Sequence, residues 1–187
     1  DPTLVVGGLV QSIGTNSILG SGDIIVVEAD EYDRSFLALN PTLALVTNIE
    51  LEHMDIYADL DDMKKAFIQF CNSVPFYGAV AVCADSQHVR HILPEIRRPV
   101  LTYGLDPTAH VRADNIRYEA NGANYTLLHN NAELGTVQLH VPGEHNIVNS
   151  LGAACLGIEL GLNSQDIIKG LDAYKGVRRR FEIKGTV

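Results

Sequence analysis

Two short apolar runs that break abruptly into acidic residues constrain this chain more than anything else in it. Residues 24–27 run into Glu28-Ala-Asp-Glu-Tyr-Asp-Arg-Ser-Phe36, and residues 43–49 run into Glu50-Leu-Glu-His53. Runs of Val, Leu and Ile that stop at polar residues are how buried parallel strands deliver side chains to the carboxyl edge of an open α/β sheet. If the two strands are neighbours, Glu28 and His53 face one crevice, with donors suited to a divalent cation beside phosphates.

The rest of the chain supports an α/β reading. Residues 4–6 form a strand candidate, joined to 24–27 by a stretch rich in Gly, Ser and Asn. Residues 59–71 read as an amphipathic helix, with Leu60, Met63, Phe67 and Phe70 at three- and four-residue steps. Asp59, Asp61 and Asp62 at its start suit the positive end of the helix dipole. A continuous apolar strand at 79–83, a short helix after Asp85-Ser86 and a strand at 99–103 extend the alternation, which predicts a parallel sheet.

The rhythm then changes. Runs at 111–118, 123–128 and 134–141 are separated by Asn121-Gly122 and Asn130-Asn131, which predicts a three-stranded antiparallel meander. Helices follow at 146–160 and, capped by Ser164, at 165–174. The expected fold is α/β: a mostly parallel sheet flanked by helices, with a small antiparallel three-stranded extension.

The net charge of −9 disfavours a general nucleic-acid or anionic-membrane surface. No apolar run approaches the roughly 20 residues of a membrane span. Cys71, Cys83 and Cys155 are odd in number and set among apolar residues, so they read as reduced core cysteines of a cytoplasmic protein. The start at Asp1-Pro2 and the stop at Thr186-Val187 read as cut ends of a larger protein.

Three constellations carry candidate chemistry. Glu28, with Asp30, Glu31 and Asp33, is either a solvated acidic loop or the carboxylate half of a hard-cation site. His53, flanked by Glu50, Glu52 and Asp55, would complete it; no third His or Cys stands at zinc-like spacing, which argues against a zinc hydrolase. His145 and Asn149 lie four apart on one helix face, where an amide can read the edge of a base such as adenine, while Asn146 alone would simply cap the helix. Arg178-Arg179-Arg180 is either a solvated run or a phosphate contact through forked donors. No G-x-x-x-x-G-K-[ST] phosphate loop is present.

At these residues the chain resembles the central, ATP-binding domain of the Mur ligases, whose fold is like that of the phosphate-loop NTPases. The matching motifs are Glu28-Ala-Asp-Glu-Tyr-Asp-Arg-Ser-Phe36, Thr47-Asn-Ile-Glu-Leu-Glu-His-Met-Asp55, Gly143-Glu-His-Asn-Ile-Val-Asn149 and Gly176-Val-Arg-Arg-Arg-Phe-Glu182, in family order. The resemblance is strongest to the alanine-adding branch, which joins L-alanine to UDP-N-acetylmuramate through an acyl phosphate. It implies Glu28 and His53 as catalytic Mg²⁺ ligands, His145 and Asn149 at the adenine end of ATP, and Arg180 on the nucleotide. It also implies that residues 1–187 are a central domain lacking its upstream phosphate loop, with 177–187 opening a linker to a further domain. Several Mur ligases carry a modified lysine on the helix after the His. Here Phe67 holds that position, which fits the alanine-adding branch. The murein-peptide recycling ligase, which has a similar acidic motif, and a non-catalytic nucleotide-binding domain are the alternative readings.

Overall fold

The chain builds two sheets, and the two acidic-ended strands fall in different ones. The structure is a computed structural model and describes residues 1–177. Strands β1 (Thr3–Val10), β2 (Thr15–Ile18) and β3 (Ile25–Val27) form the smaller sheet in the order β2-β1-β3, with β3 parallel to β1. Strand β4 (Leu43–Val46) instead pairs in parallel with β5 (Ala79–Cys83). The condition under which Glu28 and His53 would face one crevice, β3 beside β4, is therefore not met: each has a different parallel partner. The glycine-rich stretch is also more ordered than its composition suggests, because it carries the rest of β1 and its antiparallel return, β2.

The larger sheet continues through β6 (Val100–Gly104), β7 (Val111–Glu119), β8 (Gly122–His129) and β9 (Ala132–Leu139), in chain order. The first four strands of this sheet are parallel and the last two pairings antiparallel, so the expected meander is an extension of the parallel sheet itself. Parallel neighbours usually need a long crossover, yet only residues 105–110 link β6 to β7. The stagger explains it: β7 begins beside the end of β6, with Tyr103 opposite Val111 and Gly104 opposite Arg112.

Strand β5 is buried along its whole length. With side chains alternating across a strand, Ala81 and Cys83 enter one core and Val80 and Val82 the other. Helices α1 (Leu60–Ser73) and α2 (Gln87–Ile92) sit on the Val80 side. Helices α3 (Glu144–Glu159) and α4 (Ser164–Ala173) cover the Ala81 side, where Ile147, Leu151 and Ala154 are fully buried. The free edge of β9 is partly covered by α4, whose Asp172 carboxylate accepts the Gln138 N–H at 2.8 Å. Asn163, not Ser164, caps α4, accepting the Asp166 N–H at 2.9 Å.

Turn chemistry explains the hairpins, with one exception. Asn130 and Asn131 both take positive φ (50° and 67°) between the paired His129 and Ala132, as a two-residue primed turn requires. At the other hairpin the turn residues are Ala120 and Asn121, and Gly122 already opens β8. Its glycine is needed for a different reason: a Cβ there would lie 1.9 Å from the Leu139 carbonyl oxygen. All three cysteines are buried and free, and burial pushes the Cys71 and Cys155 thiols up to about 12.

At the start of α1, Asp59 accepts the Asp62 N–H at 2.8 Å. Asp62 in turn accepts the Ala58 N–H at 3.1 Å and pairs with Arg34 at 2.5 Å. The Ala58 N–H first, and the Arg34 guanidinium next, hold the Asp62 carboxyl below its ordinary 3.8. A folded-state value below the unfolded one stabilises fully above pH 3.8 and is lost as pH falls through the folded value. Asp62→Asn should therefore flatten the acid limb of the stability–pH curve below pH 3.8 in urea unfolding, and an unaltered limb would contradict this assignment. Leu151→Ala, at a fully buried α3 position, should cost about 2–5 kcal/mol in the same assay.

Candidate functional site

The loops that follow β3 and β4 meet above the N-terminal end of α1. The first is pinned by Phe36, which is buried and packs its ring against Phe67 and Phe70 of α1 at 5.2 and 5.1 Å. Asp30 organises the turn: its carboxylate accepts the Tyr32 N–H, and its carbonyl accepts the Phe36 N–H and the Ser35 hydroxyl. Asp33 and Arg34 take positive φ (53° and 57°) inside the 3₁₀ segment Tyr32–Ala38. The second loop turns at His53, also at positive φ (53°), whose carbonyl accepts the N–H groups of Ile56 and Tyr57.

This geometry brings Glu31, Glu52 and His53 together. Their ligand atoms all lie within 4.8 Å of one another, with His53 Nε2 3.6 Å from Glu31 Oε1. The Tyr32 ring stands edge-on to the imidazole at 5.1 Å. The two carboxylates supply the oxygen donors a hard divalent cation takes, and the imidazole adds one nitrogen donor. Beside them, a cavity of about 240 Å³ is lined by Glu31, Glu50 and Glu52 together with Phe36, Met63 and Phe70.

Glu28 is not a member of that group. Its carboxylate accepts the Gly7 N–H at 2.6 Å, which ties the end of β3 to β1. Of the two ligands expected from the sequence, His53 falls in this cluster and Glu28 stands apart from it, on the Gly7 N–H. Glu31 and Glu52 had both been visible as acidic neighbours. What singled out Glu28 was its position at the strand end, and strand pairing, not strand ends, decides which carboxylates meet. Arg34, Tyr57 and Asp62, which brace the two loops, were missed. Their one signal was that Arg34 is the first basic residue of the chain, set inside an acidic motif.

The second constellation lies elsewhere. Gly143 precedes α3 at φ 101°, and the His145 ring folds back over it, leaving no room for a Cβ. Asn146 donates from its amide to the Pro142 carbonyl at 2.7 Å, a local bond that fixes the start of the helix. Asn149 is exposed and lines a groove of about 460 Å³ between α3 and α4, together with Ala153, Gly157, Leu171 and Tyr174. His145 does not line it. The two cavities share no lining residue, and the larger one is not the one beside His53. Arg180 lies outside the described residues.

The profile of the Mur ligase middle domain matches residues 11–157. A UDP-N-acetylmuramate–L-alanine ligase of Salinibacter ruber is 46% identical over 187 residues, which is all of this chain and 39% of that protein. The chain thus spans about two-fifths of that relative's length. Among solved structures, a UDP-N-acetylmuramate-alanine ligase from Thermotoga maritima superposes with a TM-score of 0.83 at 24% identity, covering 98% of this chain and 41% of that one. The UDP-N-acetylmuramate:L-alanyl-gamma-D-glutamyl-meso-diaminopimelate ligase from Neisseria meningitides also reaches 0.83, at 26% identity, over 95% of this chain and 59% of that one. Four motifs in family order, the sheet architecture and a profile match over most of the chain agree: this chain belongs to the Mur ligase family, as its middle domain.

Proposed function

We propose that the chain is the nucleotide-handling part of an ATP-dependent ligase that joins L-alanine to UDP-N-acetylmuramate in bacterial peptidoglycan precursor synthesis, in the cytoplasm. The observation that carries this is the 46% identity to an L-alanine-adding ligase over the full length of the chain. In the reaction, a carboxylate oxygen of the sugar attacks the γ-phosphorus of ATP, ADP leaves, and an acyl phosphate forms. The amine of alanine then attacks the acyl carbon; phosphate leaves, the amine loses a proton, and an amide remains.

Little covalent chemistry falls to the protein in phosphoryl transfer; positioning and charge compensation dominate. His53, Glu31 and Glu52 supply a donor set for Mg²⁺, and Glu28 stays in the proposal through the carboxylate oxygen that Gly7 leaves unused. Bound there, the ion would compensate the charge of the phosphates. Asn149 offers a donor and an acceptor at the mouth of an apolar groove, a chemistry that suits the edge of an adenine ring. His145 belongs to the same end of the nucleotide, and Arg180 is assigned to its phosphates through the forked donors of its guanidinium. The sugar and amino-acid sites are assigned to parts of the whole protein outside this chain.

The variants His53→Ala and Glu28→Ala, made in the full-length ligase, should each lower turnover by about 10²-fold or more while circular dichroism stays unchanged. If the Mg²⁺ dependence of both variants matches wild type, the cation assignment is wrong. The 187-residue chain alone, given ATP, Mg²⁺, UDP-N-acetylmuramate and L-alanine, should release no phosphate; turnover would show that positioning by other domains is dispensable. The likeness to the tripeptide-adding ligase from Neisseria meningitides supports a second reading, with a peptide as the amine. Comparing kcat/KM for L-alanine and for that tripeptide in the full-length protein decides between them, with alanine expected to win.

A further inference from the structure

We infer that Tyr57 is a positioning residue whose hydroxyl sets the spacing between Glu31 and His53; this rests on the cation-site reading proposed above. Tyr57 touches both ligand-bearing loops. Its backbone N–H donates to the His53 carbonyl at 3.0 Å, closing the turn in which His53 holds its positive φ. Its phenol O–H donates to the Glu31 carbonyl at 2.7 Å. One buried residue, 1% exposed, therefore links the two main chains, its backbone N–H holding His53 and its phenol holding Glu31.

The ring itself is clamped. The Arg34 guanidinium lies over it at 4.8 Å, and the same guanidinium pairs with Asp62 and donates to the Ile56 carbonyl at 3.5 Å. Asp62 is fixed in turn by the Ala58 N–H.

A residue serving only the core would need the ring and not the oxygen. A buried hydroxyl must be paired, and this one is paired with the carbonyl of a residue in the proposed ligand set. The consequence is geometric. Mg²⁺ demands near-ideal octahedral placement of its ligands, whereas Ca²⁺ tolerates irregular sites. Loss of the Tyr57 hydroxyl removes the shorter of the two hydrogen bonds to the Glu31 carbonyl and leaves it on the Arg34 N–H at 3.1 Å, a contact within its own loop, while the ring, Arg34 and the α1 start stay in place. Groups that orient metal ligands from behind in this way typically change affinity by about 10–100-fold when removed.

The test uses the full-length protein with histidine side chains isotope-labelled. Mn²⁺, a paramagnetic stand-in for Mg²⁺, is titrated without nucleotide while broadening of the His53 imidazole signal is followed; His88 and His110 serve as internal controls. Tyr57→Phe should require about 10–100-fold more Mn²⁺ for the same broadening. It should also shift the His53 signal in the ion-free protein, because the Tyr32 ring 5.1 Å away reports its position. Arg34→Gln, which unclamps the ring but keeps the hydroxyl, should act in the same direction and more weakly. Competition by Ca²⁺ should change less than competition by Mg²⁺.

His53→Ala and Glu31→Gln separate the two layers of the argument. If neither changes Mn²⁺ binding, as followed by free-Mn²⁺ resonance, the cation site itself is refuted. If both weaken it but Tyr57→Phe and Arg34→Gln bind like wild type, the site stands and the positioning role is refuted. A lowered melting temperature in Tyr57→Phe with unaltered Mn²⁺ binding would assign the hydroxyl to stability alone.

Discussion

The burial of β5 on both faces is the constraint on which the rest depends. A strand with water on one side can alternate apolar and polar residues; Ala79-Val-Ala-Val-Cys83 has no polar residue to turn outward. Two separate cores must therefore exist, and the chain supplies one from α1 and α2 and the other from α3 and α4. The division also fixes where polar chemistry can go. With both faces covered, the strand ends remain. Asn48, after β4, accepts the Ser86 hydroxyl after β5 at 2.7 Å, and Asp85 accepts the Leu105 and Asp106 N–H groups after β6. The polar groups at the carboxyl ends of three neighbouring strands are thus tied to one another, and the His53 loop grows from the first of them.

Much of this was legible in the sequence because it followed from local periodicity. The 3.6-residue pattern of Leu60, Met63, Phe67 and Phe70 and the unbroken run at β5 each admit one interpretation. The paired asparagines at 130 and 131 did too, since left-handed conformations suit them and a two-residue hairpin demands such conformations. The strands β1 and β2 were underread for the opposite reason. Gly7, Gly8, Ser17 and Asn16 are poor strand formers, and a three-stranded pairing overrode their propensities.

Partner choice between strands was not legible. Nothing in residues 24–28 states that β3 pairs with β1 and not with β4, because parallel pairing is non-local and both runs are simply apolar. The consequence reaches the site: with β3 paired to β1, the Glu28 carboxylate sits on the Gly7 N–H and outside the group formed by Glu31, Glu52 and His53. The adenine-end residues met a milder version of the same problem. His145 and Asn149 share a helix face, yet the loop ending in Gly143 draws the His145 ring back over itself, so only Asn149 reaches the groove.

The site's own loops show why such details resist sequence reading. Asp33, Arg34 and His53 are three non-glycine residues at positive φ, and each costs on the order of 1 kcal/mol or more to hold there. All three sit in the two loops that carry Glu31 and His53. Strain of this kind persists only where surrounding contacts over-determine it, and here those contacts are explicit. Arg34 is held by Asp62 and the Tyr57 ring, and the His53 carbonyl accepts two N–H groups. The His53 turn is local, but the Arg34 contacts join residues distant in the chain, 34 with 57 and 62. The sequence can display the acidic residues that supply ligands, but the placement of those ligands is a property of the cross-braces, and Tyr57 is where the braces converge.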